Sequence, residues 1–135
     1  MRWILAVATG TGCLAESGES PLDPGSAAPV VLSARIACEG ALNAEEWAFE
    51  ATVTDPDGPA NLADVTAFVY DEVSEEPQLS VPLLLQSGDA WEKRMPAAGS
   101  GLDCTFPRYS ADFVAVDREG NSGTLTAFVD PVNGQ

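Results

Sequence analysis

The sequence predicts an all-β protein: a single antiparallel sandwich of seven short strands behind a flexible N-terminal segment. Three observations predict it. From Val30 onward apolar and polar residues alternate with period two, as they do on a half-buried strand. No helical period persists over ten residues. Clusters of Gly, Pro, Asp and Asn interrupt the alternation every eight to twelve residues or so, the spacing of a sandwich.

The strands follow in order. The first spans 30–37. The second, 46–54, is the clearest: Trp47, Phe49, Ala51 and Val53 share one face, and Ala48, Glu50, Thr52 and Thr54 the other. Asp55-Pro56-Asp57-Gly58-Pro59 stops it, because these are turn residues and Pro cannot donate to a ladder. The third spans 63–71. The fourth spans 78–86, and Pro82 within it marks an edge strand. The fifth, 91–95, is short. The sixth, 109–117, puts Tyr109, Ala111, Phe113 and Ala115 on one face. The seventh, 123–130, turns Leu125, Ala127 and Val129 inward.

Composition bounds the function. The 135 residues carry 6 Lys+Arg against 21 Asp+Glu, a formal charge of −15, with no His and 3 Cys. A chain this acidic does not supply the clustered cations that phosphate binding needs, so no nucleic-acid partner is expected. Without His there is no Ser-His triad, no Cys-His dyad and none of the usual zinc sets. At 45% apolar there is enough material for one core, and one domain is expected over 30–131.

Residues 1–13 read MRWILAVATGTGC. One positive charge, Arg2, precedes an apolar run at 3–8 and the small residues 9–12, the order of a secretory signal. The run is far short of the roughly 20 residues that span a bilayer. Small residues directly before Cys13 resemble the lipobox of bacterial lipoproteins. The resemblance implies that 1–12 are removed and that Cys13 is diacylated on sulfur and acylated on its new amine. It thus implies a cell-envelope location and a membrane partner. Leu14, rather than an Asp resembling an inner-membrane retention signal, points to the outer membrane. The other reading of these residues is an ordinary cleaved signal ending near a chance Cys. If Cys13 carries lipid, Cys38 and Cys104 remain as a pair, and export permits their disulfide. Residues 14–29, rich in Ser, Gly, Pro, Ala and acids, read as a tether. As a coil its 16 residues span roughly 20–25 Å. Residues 132–135 are a short tail.

The stretches TDPDGPANLADVTAFVYDE and GDAWEKRMPAAG…YSADFVAVDREGNSG resemble bacterial extracellular immunoglobulin-like and fibronectin-III-like modules. The resemblance covers about 30–130. It implies an immunoglobulin-like sandwich, with Tyr109 in the place of the tyrosine corner. In that topology the connection before the second strand and the one before the sixth lie at one end. Cys38 and Cys104 are then neighbours. The connections 55–62, 87–89 and 118–122 gather at the opposite end and bring Asp55, Asp57, Asn61, Asp64, Asp89, Asp117, Glu119 and Asn121 into one acidic pole.

Two readings of that pole stand. Calcium takes 6–8 oxygen ligands, and Asp55, Asp57, Asn61, Asp64, Asp117, Glu119 and Asn121 offer carboxylates and amides at suitable loop positions. The same residue types are also what tight turns use for their own backbone. No cofactor is expected other than calcium on the first of these readings. Asp55 and Asp57 are the nearest approach to a catalytic pair, but a Pro/Gly turn at a loop tip does not flank a substrate, so no enzyme is expected. Trp47 alternates with Phe49 and Val53 and reads as core. Trp91 reads either as core or as an exposed contact. Lys93-Arg94, the one basic doublet, reads as an edge strand guarded by charge. The expected function is a non-catalytic, lipid-anchored envelope protein that presents a binding or structural module to an envelope protein or glycan. The alternatives are a calcium- or glycan-binding module working through the acidic pole, and an accessory domain of an enzyme.

Overall fold

The computed structural model describes residues 27–106 and 108–129. The predicted signal, Cys13, most of the tether, the last residues of the predicted domain (130–131) and the tail (132–135) lie outside the described residues. Eight strands follow one another: β1 (Val30–Glu39), β2 (Glu46–Thr54), β3 (Leu62–Tyr70), β4 (Leu79–Pro82), β5 (Leu84–Ser87), β6 (Ala90–Pro96), β7 (Ser110–Asp117) and β8 (Ser122–Phe128). They form two antiparallel sheets of four, in the orders β1-β2-β6-β5 and β4-β3-β7-β8.

The period-two pattern explains why the sheets face each other. On β2, Trp47, Phe49, Ala51 and Val53 are buried; so are Val65, Ala67 and Val69 on β3, and Ala111, Phe113 and Ala115 on β7. These stripes meet in one continuous core. The stripes predicted for the second and sixth strands are the ones observed. Strand pairing keeps them in phase, since a slip of one residue would turn every apolar side chain to water. Trp47 is fully buried core, and Trp91 is half-buried against the same cluster.

Three expectations need correction. Residues 78–86 are not one strand but two. β4 pairs with β3, the chain crosses at Leu83, and β5 pairs with β6 in the other sheet. Pro82 sits at the break, where a residue without an N–H ends the β4 ladder. Leu83 is buried, and its N–H donates to the Val65 carbonyl at 2.9 Å. Lys93-Arg94 does not guard an edge, because β6 lies between β2 and β5. On β8 the inward face is only half closed: Leu125 is 36% exposed.

The edge of β8 is screened by β1. A parallel bridge joins Ile36 to Val129, and at the same offset Gly123 lies against Pro29 and Val30. Pro29, assigned to the tether above, is fully buried. A Cβ at Gly123 would lie 2.1 Å from the Pro29 carbonyl oxygen. Gly123→Ala is therefore expected to destabilise the domain by roughly 1–3 kcal/mol, despite the better strand propensity of Ala. A urea midpoint equal to that of the parent protein would show that the β1–β8 approach is not packed this closely.

Candidate functional site

The connections 55–61, 88–89 and 118–121 gather at one end of the sandwich, as the sequence led us to expect. Val53 N–H donates to the Asp89 carbonyl at 2.9 Å, and Arg118 N–H donates to that of Asn61 at 2.8 Å. An open hollow lies among Val53, Thr54, Asp55, Pro59, Gly88 and Asp89. Two turns of like construction build the pole. In the first, Asp55 Oδ1 accepts from the Asp57 N–H at 2.8 Å, and Asn61 Nδ2 lies 3.4 Å from both Asp55 oxygens. In the second, Asp117 Oδ1 accepts from the N–H groups of Glu119 and Asn121 at 2.9 and 2.8 Å. Asn121 Nδ2 donates to Asp117 Oδ2 at 3.2 Å.

Both Asp side chains are buried, and their oxygens are engaged by their own turns. Arg118 staples one turn to the other, its Nε donating to the Ala60 carbonyl at 2.8 Å. Sequence reasoning missed this residue, because its partner is a backbone carbonyl 58 positions away. Asp57, Asp55, Asp117 and Glu119 share one electrostatic neighbourhood. Asp64 stands exposed on β3 opposite Val116, and Asp89 is exposed at its turn. Among the described residues no group of three or more His, Cys, Asp or Glu is arranged to hold a metal ion.

Asp57 carries the cost of this crowding. Loss of solvent, then the charges of Asp55, Glu119 and Asp117, push its carboxyl above the usual range. Its Oδ2 is buried and has no partner among the described residues.

The far pole is closed covalently. Cys38, at the end of β1, is bonded to Cys104, in the approach to β7, with Cα atoms 5.6 Å apart. That separation lies inside the usual window of about 4.4–6.8 Å. The Tyr109 hydroxyl accepts from the Asp103 N–H at 2.9 Å, six residues upstream. Its ring meets Trp47 and Phe106 edge-on, at 5.8 and 4.7 Å between centroids. The two cysteines paired in the sequence analysis thus meet.

The two outer faces differ in chemistry. On the first sheet Arg35 bonds Glu39 and Glu50, and Arg94 reaches Glu39, Glu46, Glu50 and Glu92. These side chains cross Ala37 and Ala48, which are fully buried although they point outward. The Arg35 hydrogen bond, then Arg94, holds the Glu39 carboxyl below its usual range. That contribution is present above the ordinary Glu range and lost as pH falls through the lowered value. Exposure to solvent keeps it small. On the second sheet the outward face carries Phe68 and Tyr70 on β3, Val114 and Val116 on β7 and Phe128 on β8, interleaved with Thr66, Ser110, Asp112, Thr124 and Thr126. A comparison of the chain with family models, curated proteins and solved structures finds no match.

For Asp57 the folded chain binds its proton at higher pH than the unfolded chain does. Folding stability therefore falls as pH rises through the window between the usual and the raised value. Asp57→Asn removes the repulsion. It is expected to raise the melting temperature at pH 7 and low salt, with the gain vanishing below the ordinary Asp range. A gain that survives acidification would trace to the amide's hydrogen bonds and not to charge.

Proposed function

We propose that the protein is a non-catalytic, lipid-anchored cell-envelope protein whose sandwich is immunoglobulin-like and works as a binding module. The architecture supports the fold half of this reading. The order β1-β2-β6-β5 corresponds to strands A-B-E-D of an immunoglobulin sandwich, and β4-β3-β7-β8 to C′-C-F-G. The divided fourth strand then supplies both C′ and D.

One observation carries the anchor half. Cys38 and Cys104 are bonded to each other, which leaves Cys13 as the odd cysteine of three. An odd cysteine in an exported chain calls for a separate role, and a lipid on the residue that follows 1–12 supplies it. The chain enters the sandwich at Pro29–Val30, opposite Thr54, and so at the acidic pole. On this reading the acidic pole faces the membrane across the tether and the disulfide pole points away. No helix among the described residues is long and apolar enough to cross a membrane. The test is fractionation of cells that make the parent protein or Cys13→Ser. The parent is expected in the membrane fraction, and the variant, folded, in the soluble fraction. Equal distribution of the two defeats the anchor.

A second reading, calcium at the acidic pole, is favoured by the unpartnered Oδ2 of Asp57 beside Asp55, Asp117 and Glu119. It predicts heat on calcium titration and a higher melting temperature with calcium. Absence of both removes it.

A further inference from the structure

We infer that the outer face of the second sheet, at its disulfide end, docks a basic polypeptide segment through apolar anchor residues. The inference deepens the binding-module reading above and does not depend on the anchor. Strand register builds the surface. Tyr70 pairs with Ser110 and Ser110 with Phe128, so the two rings flank one serine across three neighbouring strands. Their backbones are about 10 Å apart, two strand spacings of roughly 4.8 Å each. Phe68 follows on the same face of β3, beside Asp112. Phe128 is 70% exposed, and Val73, on the loop that continues β3 beyond Tyr70, is 84% exposed. Half-buried Phe68 and Tyr70 beside exposed Phe128 make an aromatic surface of the kind found at the centre of interfaces.

Charge complementarity selects the occupant. The loop from Asp71 to Pro77 reads DEVSEEP. Asp71 is engaged in the loop itself, accepting from the N–H groups of Val73 and Ser74 and from Gln78 Nε2. Glu72 bonds Arg108 at 3.1 Å. Glu75 and Glu76 are exposed, and Asp112 on β7 accepts from the Thr126 hydroxyl. The rim around the aromatic residues is therefore acidic. A second copy would bring like charges together around the whole patch, −15 against −15. An anionic lipid surface meets the same repulsion. A segment bearing apolar anchors flanked by Lys or Arg satisfies both parts: anchors against Phe68, Tyr70 and Phe128, and cations against the rim and the ring faces.

The test is calorimetric titration and amide NMR of the full chain with a synthetic peptide alternating lysine with phenylalanine and leucine. Two control peptides divide the chemistry: lysine alternating with serine, and glutamate alternating with phenylalanine and leucine. Saturable 1:1 binding of the first peptide is expected, with shifts on β3, β7 and β8 and weakening as salt rises. Phe128→Ser and Tyr70→Ser are each expected to weaken it roughly tenfold, as loss of an interface anchor does. Leu84→Ser, on the first sheet, is expected to leave it unchanged. Equal binding of the lysine–serine peptide would overturn the proposal, because charge alone would then suffice. So would shifts confined to the acidic pole, or self-association of the protein that Phe128→Ser abolishes. Membrane fractionation is a separate measurement, so failure here leaves the anchor standing.

Discussion

The two sheets are held together by apolar contact along most of their length and by a covalent bond at one end. That bond, Cys38–Cys104, is the constraint on which the far pole depends. It joins the end of β1, in one sheet, to the chain about to enter β7, in the other. The connection from Ala97 to Tyr109 is the longest between strands, and a long loop costs entropy to order. Tyr109 works beside the bridge. Its hydroxyl holds the Asp103 N–H, and its ring rests edge-on against Trp47, the largest buried side chain. Trp47 in turn lies opposite Cys38 in the β1–β2 ladder. Bridge, ring and indole form one clamp, and Phe128 and Tyr70 flank Ser110, the residue after Tyr109.

The acidic pole is organised by the opposite means. No covalent bond crosses it; two short turns are each closed by one Asp and one Asn. The carboxylates of Asp55 and Asp117 accept N–H bonds from their own turns, so both residues act as turn-builders. Desolvation, then the charges of Asp55, Glu119 and Asp117, bears on Asp57. The pole therefore combines well-made hydrogen bonds with an unfavourable field, and Arg118 ties its two main turns together.

Much of this was legible in the sequence, and the physical reason is burial. Where one face of a strand is core, alternation is forced, so 46–54 and the stripe Tyr109–Ala111–Phe113–Ala115 could be read directly. Turn residues mark where strands stop, and the loop placement that put Cys38 beside Cys104 rests on the topology implied by the resemblance to immunoglobulin-like modules. The division at Pro82 was not legible, because Val81 and Leu83 are both buried and keep an unbroken alternation while the chain changes sheets. The position of β6 was hidden too, since a short charged strand reads as an edge when its neighbours are unknown. Phe68 and Tyr70 flank the buried Val69 on β3, and only the register shows that Phe128 joins them on the same face. Pro29 looked like tether because its burial depends on Gly123, more than ninety positions away.

The clamp is the central claim, and equilibrium unfolding in urea of the oxidised protein and the Cys38→Ala/Cys104→Ala double variant tests it most directly. The bridge spans 66 positions, for which chain entropy gives about 4 kcal/mol of stabilisation, within an observed range of roughly 2–5 kcal/mol. The account predicts a loss of that size, with tryptophan fluorescence reporting earlier exposure of the Trp47 end. Coincident unfolding curves for the two proteins would contradict it.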